Sequence, residues 1–186
     1  MSSKKANVSW KENTRLGMIA LIACVLVGVF VLAPMKLSGA RNEARDVFRN
    51  GTEKGITVSV YTDLIAMAEN ANRLANFASA QLGEDNADIV VLKDGAKKIL
   101  DAKDEKTMLK AYSDIALASD NVYTRLTGSV KDDAKGAYVN IDNYVSTIKR
   151  DSYFAYADDF NHKRNGFPAI ILAGLFGIDE MPTLGN

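Results

Sequence analysis

The chain has 186 residues and a formal net charge of zero, from 23 basic and 23 acidic side chains. This length indicates one folded domain with an appendage, and the charge balance argues against a general nucleic-acid binder, so we expect no nucleic-acid partner. The single Cys24 excludes an intrachain disulfide. Prolines occur only at positions 34, 168 and 182, which leaves the middle of the chain free for long helices.

An apolar segment, residues 16–33, follows an N-terminal tail, residues 1–15. Its 18 residues carry no charge, which is just enough to cross a hydrocarbon core. A buried core helix of this length normally keeps one polar stripe, and this segment has none. The sequence therefore predicts a single transmembrane anchor, with the lipid bilayer as the partner of residues 16–33. The alternative is a signal peptide cleaved after the small residues Ser38-Gly39-Ala40.

Basic residues flank the anchor on both sides, so the side of the membrane that holds the soluble domain stays open. The positive-inside rule compares the two flanks, and here four basic residues stand against four. They are Lys4, Lys5, Lys11 and Arg15 before the anchor, and Lys36, Arg41, Arg45 and Arg49 after it.

The segment after the anchor, residues 34–56, reads as a juxtamembrane helix or linker. Within it, residues 38–49 either continue the anchor helix or begin a new one. The short stretch 56–60 alternates like a strand, but it leads directly into a helical pattern and is interpreted as the start of the next helix.

Residues 57–186 read as a helical-bundle domain. Apolar spacing predicts helices over 58–82, 85–102 and 106–126, and a longest helix over 131–162. The longest one alternates three- and four-residue steps, as a bundle seam does. The pattern predicts an all-α fold, in which the transmembrane helix is followed by an antiparallel bundle of long helices and a short C-terminal helix.

Residues that could carry chemistry are sparse, and we expect neither an enzyme nor a bound cofactor or metal. The one histidine, His162, has no cysteine nearby and no ExxH spacing, and is interpreted as a cation near a helix end. Adjacent acidic pairs diverge around a helix and do not converge on a reacting bond. Asp85 and Asp104 precede predicted helices and are interpreted as capping residues.

The C-terminal segment combines a break with an apolar run too short to cross a membrane. Asn165-Gly166 and Pro168 predict the end of the long helix, and a short helix is expected to begin near Pro168. One face of it is expected to dock on the bundle: Phe167, Ile171, Leu175 and Ile178. Ile170 and Phe176 are left as the candidate interaction surface.

The same segment resembles the closing signature of the LemA family. That signature has an aromatic-Asn pair, a Phe-Pro and an Ala-x-x-Phe-Gly ending, preceded by an Arg and a Tyr. The corresponding residues are Arg150, Tyr153, Phe160, Asn161, Phe167, Pro168, Ala173, Phe176 and Gly177. The resemblance implies a bacterial protein, anchored in the cell membrane by one N-terminal helix, with no catalytic activity or cofactor generally established.

Three functions remain in competition. The first is a membrane-anchored scaffold or envelope assembly protein that binds copies of itself or other envelope proteins. The second is a sensor or ligand-binding module, which would need a pocket among Tyr112, Tyr123, Tyr138 and Tyr153. The third is a hydrolase, which would need carboxylates converging on His162.

Overall fold

The computed structural model describes residues 10–52 and 58–184. Eight α-helices and one π-helical turn make up the regular structure of these ranges, and no strand occurs in them. The elements are α1 (Trp10–Val27), the π-helical turn (Gly28–Leu32), α2 (Ala33–Asn50), α3 (Val60–Leu82), α4 (Ala87–Asp101), α5 (Glu105–Arg125), α6 (Gly128–Lys149), α7 (Tyr153–Asn165) and α8 (Ala169–Phe176). The predicted all-α fold, with a long apolar N-terminal helix before a helical bundle, is confirmed.

The N-terminal helix runs without interruption from α1 into α2. Pro34 has no N–H, and its ring would clash with the carbonyl of Phe30 in a regular α-helix. The π-helical turn widens the helix there, and the N–H of Ala33 donates to the carbonyl of Gly28, five residues back. Among the described residues, one helix is long and apolar enough to cross a membrane, and none of its most apolar window is buried against the protein.

Helices α3 to α6 form a four-helix bundle in which neighbours along the chain are antiparallel. Asn140 donates to Asn70 in the middle of the α3–α6 pair, and Gln81 donates to Thr127 at its end. Tyr112 on α5 donates its hydroxyl to the carbonyl of Val145 on α6. The bundle core consists of buried Leu, Ile, Val, Met and Ala side chains that repeat at helical spacing.

Side-chain caps fix where the bundle helices begin. Ser59 and Thr62 form a reciprocal capping box, so α3 begins at Val60. The stretch 56–60 was expected to start this helix, which is wrong for Val58 and Ser59, and residues 56 and 57 lie outside the described ranges. Asn86, and not the predicted Asp85, caps α4. Asp104 caps α5 as predicted, and the backbone hydrogen bond from Thr107 holds the pKa of its carboxyl below the ordinary value.

The predicted single helix over 131–162 is wrong, because it breaks between α6 and α7. The N–H groups of Arg150 and Asp151 donate to carbonyls only three residues back, which tightens the last turn of α6. The carboxylate of Asp151 then accepts the N–H of Tyr153 at 2.8 Å and so starts α7. The apolar pattern continues across the break because α7 leaves the bundle seam and packs on α2.

Helices α2, α7 and α8 form a second layer, called here the three-helix layer. Phe48 and Tyr153 pack edge to face, with centroids 5.0 Å apart, at the bundle end of α2 and α7. Arg41 and Arg164 line one cleft nearer the other end, so α7 runs antiparallel to α2. The segment after the predicted anchor is therefore a helix that belongs to the core.

Two helical glycines, Gly95 and Gly136, differ in the space around them, so replacing each with alanine tests close packing in one case and helix propensity in the other. A Cβ on Gly95 of α4 would lie 2.7 Å from the buried Ile115 side chain of α5, whereas a Cβ on Gly136 of α6 would meet nothing within 4 Å. We expect Gly95→Ala to lower the melting temperature, because the α4–α5 contact must open. The matched Gly136→Ala is expected to stabilise the fold by about 0.5–1 kcal/mol. Thermal unfolding of both variants checks this, and equal gains would contradict the close contact.

Candidate functional site

The C-terminal signature folds into a hairpin of α7, α8 and a return segment, residues 178–182. Asn161 binds the return segment through two hydrogen bonds to the backbone of Met181. Its Nδ2 donates to the carbonyl of Met181, and its Oδ1 accepts the N–H of Met181, both at 2.8 Å. Arg164 donates from Nε to the carbonyl of Ile178 at 2.8 Å. Ile178 and Met181 are buried, so the hairpin closes over its own apolar contacts.

Tyr153 is the centre of this arrangement. Its ring is fully buried, and its hydroxyl donates to the carbonyl of Pro182 at 2.7 Å. Burial, followed by the charges of Glu105 and Asp158, raises the pKa of this hydroxyl well above the ordinary range. Phe160, one of the predicted signature residues, is 1 % exposed in the same core. The structure therefore brings Tyr153, Phe160 and Asn161 together, and their contacts stabilise the hairpin.

Helix α8 is defined by its two ends. The Phe167–Pro168 peptide bond is cis, and the carbonyl of Gly166 accepts the N–H of Ile170 at 3.0 Å. At the other end Gly177 has φ +62°, and the N–H groups of Gly177 and Ile178 both donate to the carbonyl of Ala173. This Schellman motif requires a left-handed residue, which favours the glycine of the Phe-Gly signature. The predicted short C-terminal helix is present.

The orientation predicted for α8 is wrong. Phe167 is 85 % exposed, Ile171 61 % and Leu175 65 %, so of the four expected docking residues only Ile178 is buried. Leu172 and Ala173 face the protein instead, and α8 packs on α2 and α7. The smaller Ala173 allows the helix backbone to approach its neighbours closely. Every face of α8 is apolar, so periodicity alone could not tell which one is buried.

The remaining predicted residues lie outside the hairpin contacts. Arg150 is exposed and donates from Nε to the carbonyl of Ser146, which only stabilises the end of α6. Ile170 and Phe176, the candidate interaction surface, are 48 % and 49 % exposed. They belong to a larger exposed apolar surface that also includes Phe167, Ile171 and Leu175.

The four tyrosines that were expected to line any ligand pocket are engaged in internal contacts. Tyr112 and Tyr153 give their hydroxyls to backbone carbonyls, and burial raises the pKa of Tyr112 to about 12. Tyr123 and Tyr138 stack on each other, with centroids 4.0 Å apart. The four tyrosines therefore do not converge. His162 is exposed in the last turn of α7. Among the side chains that the structure describes, in residues 14–52 and 58–184, no three His, Cys, Asp or Glu are placed to hold a metal ion.

A junction between the two layers was missed by the sequence analysis. Glu105 is 8 % exposed at the start of α5, and its Oε1 lies 2.8 Å from Nε of Arg45 and 3.7 Å from Nε of Arg49, both on α2. Ser59 donates its hydroxyl to the carbonyl of Arg49. Pairing between residues 60 positions apart leaves no periodic signal, so these ion pairs could not be found from one sequence.

Asp63 is a buried carboxylate at the same junction. It lies in the first turn of α3, 9 % exposed, and its Oδ2 has no hydrogen-bond partner. Burial, and then the charge of Asp151, raises the pKa of this carboxyl. A raised pKa means that the ionised form costs stability in the folded state.

We expect Asp63→Asn to raise the melting temperature at pH 7 by about 2–4 °C, because it removes a cost on the order of 1 kcal/mol. In the wild type this cost is absent below the ordinary carboxyl pKa, because Asp63 is then protonated in both the folded and the unfolded state. The cost appears as the pH rises through the higher pKa of Asp63 in the folded state. The gain should therefore shrink as the pH falls. The exposed Asp133→Asn serves as the control in a pH series of thermal unfolding. A gain that is unchanged at low pH would contradict this account.

Comparison with known proteins gives no match: no protein-family model, no curated protein and no solved structure is similar to this chain.

Proposed function

We propose that this chain is a single-pass, membrane-anchored scaffold of the bacterial envelope, without enzymatic activity, that works by binding copies of itself or other envelope proteins. The observation that carries the proposal is the unbroken helix from Trp10 to Asn50. Residues 16–33 of this helix are apolar and unburied, and its second part contributes Val47 and Phe48 to the protein core. One helix thus joins a membrane-compatible segment directly to the folded domain.

The second support for a scaffold is how the polar groups of the domain are used. Asn161, Arg164 and the hydroxyl of Tyr153 bind the return segment, and Glu105 binds the arginines of α2. These contacts stabilise the fold and engage polar groups that a catalytic site would need free. An exposed apolar surface on α8 is the kind of feature by which proteins contact a partner or a membrane.

Kinship with the LemA family is part of the proposal. Its support is that five of the nine signature residues have a shared structural role in this chain. Tyr153, Phe160 and Asn161 hold the hairpin, while Ala173 and Gly177 build the Schellman motif that reverses it.

Two experiments test this function. Protease accessibility of the domain in spheroplasts, followed by crosslinking and mass spectrometry, would establish its side of the membrane and its neighbours. Size-exclusion chromatography with light scattering on detergent-solubilised protein tests self-assembly. Self-crosslinks, or crosslinks to envelope proteins, are the expected result. A particle that stays monomeric at high concentration and gives no crosslink to any protein would contradict a scaffold.

A further inference from the structure

The outward face of α8 is apolar, and it is exposed in the part of the chain that the structure describes. Phe167 lies just before α8. Within the helix, Ile170, Ile171 and Leu175 follow steps of one and four residues, which places these three on one side. Phe167, Ile170, Ile171 and Leu175 are 85, 48, 61 and 65 % exposed. From residue 165 to residue 178 the chain carries no charged side chain. A continuous apolar face of this kind marks an interaction site.

The contacts of the three-helix layer fix where α8 lies along α2. Tyr153 at the start of α7 contacts Phe48, and Arg164 near its end shares a cleft with Arg41, so α7 runs back along α2 towards the apolar span. Helix α8 follows and also packs on α2. Pro34 and Leu37 are buried residues of α2 that lie on the membrane side of Arg41, beyond the stretch that α7 follows. Helix α8, which continues from α7 and packs on α2, is in position to cover them.

This position lies at the end of the span. Leu37 comes four residues after Ala33, which corresponds to about 6 Å along the helix. The headgroup layer on each side of a bilayer is about 5–7 Å thick. Leu32, at the end of the π-helical turn, and Met35 on α2 are 54 % and 66 % exposed, so exposed apolar side chains extend to the end of the span on the helix that α8 packs on.

We propose that α8 lies in the headgroup layer of the membrane that holds the span, with Phe167, Ile170, Ile171 and Leu175 directed towards the acyl chains. This inference rests on the proposed membrane anchor. The lipid bilayer is preferred to a protein partner because exposed apolar side chains occur both at the end of the span and on α8, and α8 packs on the same helix at the depth of the headgroups. An apolar helix in this layer gains from burying one face about 5–10 Å deep. The protein would then touch the bilayer at two points, which fixes the tilt of the bundle.

The test uses the full chain in lipid vesicles, with the native Cys24 replaced by alanine. Single cysteines at Ile171→Cys or Leu175→Cys are labelled with NBD, a dye whose emission shifts to the blue in apolar surroundings. The control is Leu117→Cys, which is 68 % exposed on α5 and lies twelve residues beyond Glu105. A second set of vesicles contains lipids with a nitroxide quencher near the glycerol backbone. Extraction with alkaline carbonate reports in parallel whether the chain stays inserted.

We expect blue-shifted emission at positions 171 and 175 that is lost in the nitroxide vesicles, and unchanged, water-like emission at position 117. Water-like emission at position 171 in a chain that resists carbonate would overturn the α8 inference and leave the anchor standing. A blue shift without quenching would mean that protein, such as a second copy, covers α8, which also overturns it. Release of the chain by carbonate would overturn the anchor, and the α8 inference with it.

Discussion

Replacing Tyr153 with alanine is expected to lower the free energy of unfolding by about 3–5 kcal/mol, the usual cost of removing a large buried aromatic side chain. The ring is fully buried between Phe48 and Phe154, and its hydroxyl holds the return segment. The change therefore leaves a cavity at the point where α2, α7 and residues 178–182 meet. Denaturant unfolding of the protein in detergent measures the loss.

Two companion variants separate the parts of this effect. Tyr153→Phe keeps the ring and loses only the hydrogen bond to the carbonyl of Pro182, so we expect a cost of about 1 kcal/mol. Tyr156→Ala removes a ring of the same type that is 39 % exposed, and should cost much less than Tyr153→Ala. If the two alanine variants lost equal stability, the three-helix layer would not be the packed unit described here.

Introducing two arginines into the span is expected to abolish membrane retention. Leu21 and Val25 lie near the middle of the apolar segment, and each arginine there makes insertion less favourable by about 2.5–3.5 kcal/mol. The matched control places the same two charges on the bundle, as Leu117→Arg and Val139→Arg, at positions that are 68 % and 42 % exposed. Flotation of vesicles and carbonate extraction measure retention.

The control double variant should stay with the membrane as the wild type does. Retention of the Leu21→Arg/Val25→Arg chain after carbonate would show that residues 16–33 do not hold the protein in the bilayer. Loss of both double variants would indicate misfolding and not failed insertion, and their circular dichroism in detergent distinguishes the two causes.

Periodicity predicted the helices, and local chemistry predicted some of their ends. The spacing of apolar residues placed α3, α4 and α5 within a few residues of their observed bounds, and Asp104 was recognisable as a cap because it precedes a helical run. Whether the anchor helix continues past Pro34 stayed open, because a π-helical turn that absorbs a proline has no marker in the sequence.

The break between α6 and α7 and the buried face of α8 were both decided by long-range packing. Asp151 can cap a helix or sit inside one, and only the contact of α7 with α2 decides which. Both faces of α8 are apolar, so Phe167, Ile171 and Leu175 were wrongly expected to dock on the bundle, whereas Ile178 is buried as expected. The ion pairs of Glu105 join segments that are distant in the chain, which one sequence does not reveal.

The central claim is that one continuous helix connects the membrane span to the folded domain, and a distance within that helix tests it most directly. Cys24, the only cysteine of the chain, and an introduced Glu43→Cys can both carry spin labels, and both positions are exposed. In lipid nanodiscs, double electron–electron resonance should give a narrow distribution centred near 29 Å, since 19 helical residues rise about 1.5 Å each. A broad distribution, or a centre well below this distance, would show that the helix is broken at the π-helical turn and would contradict the claim.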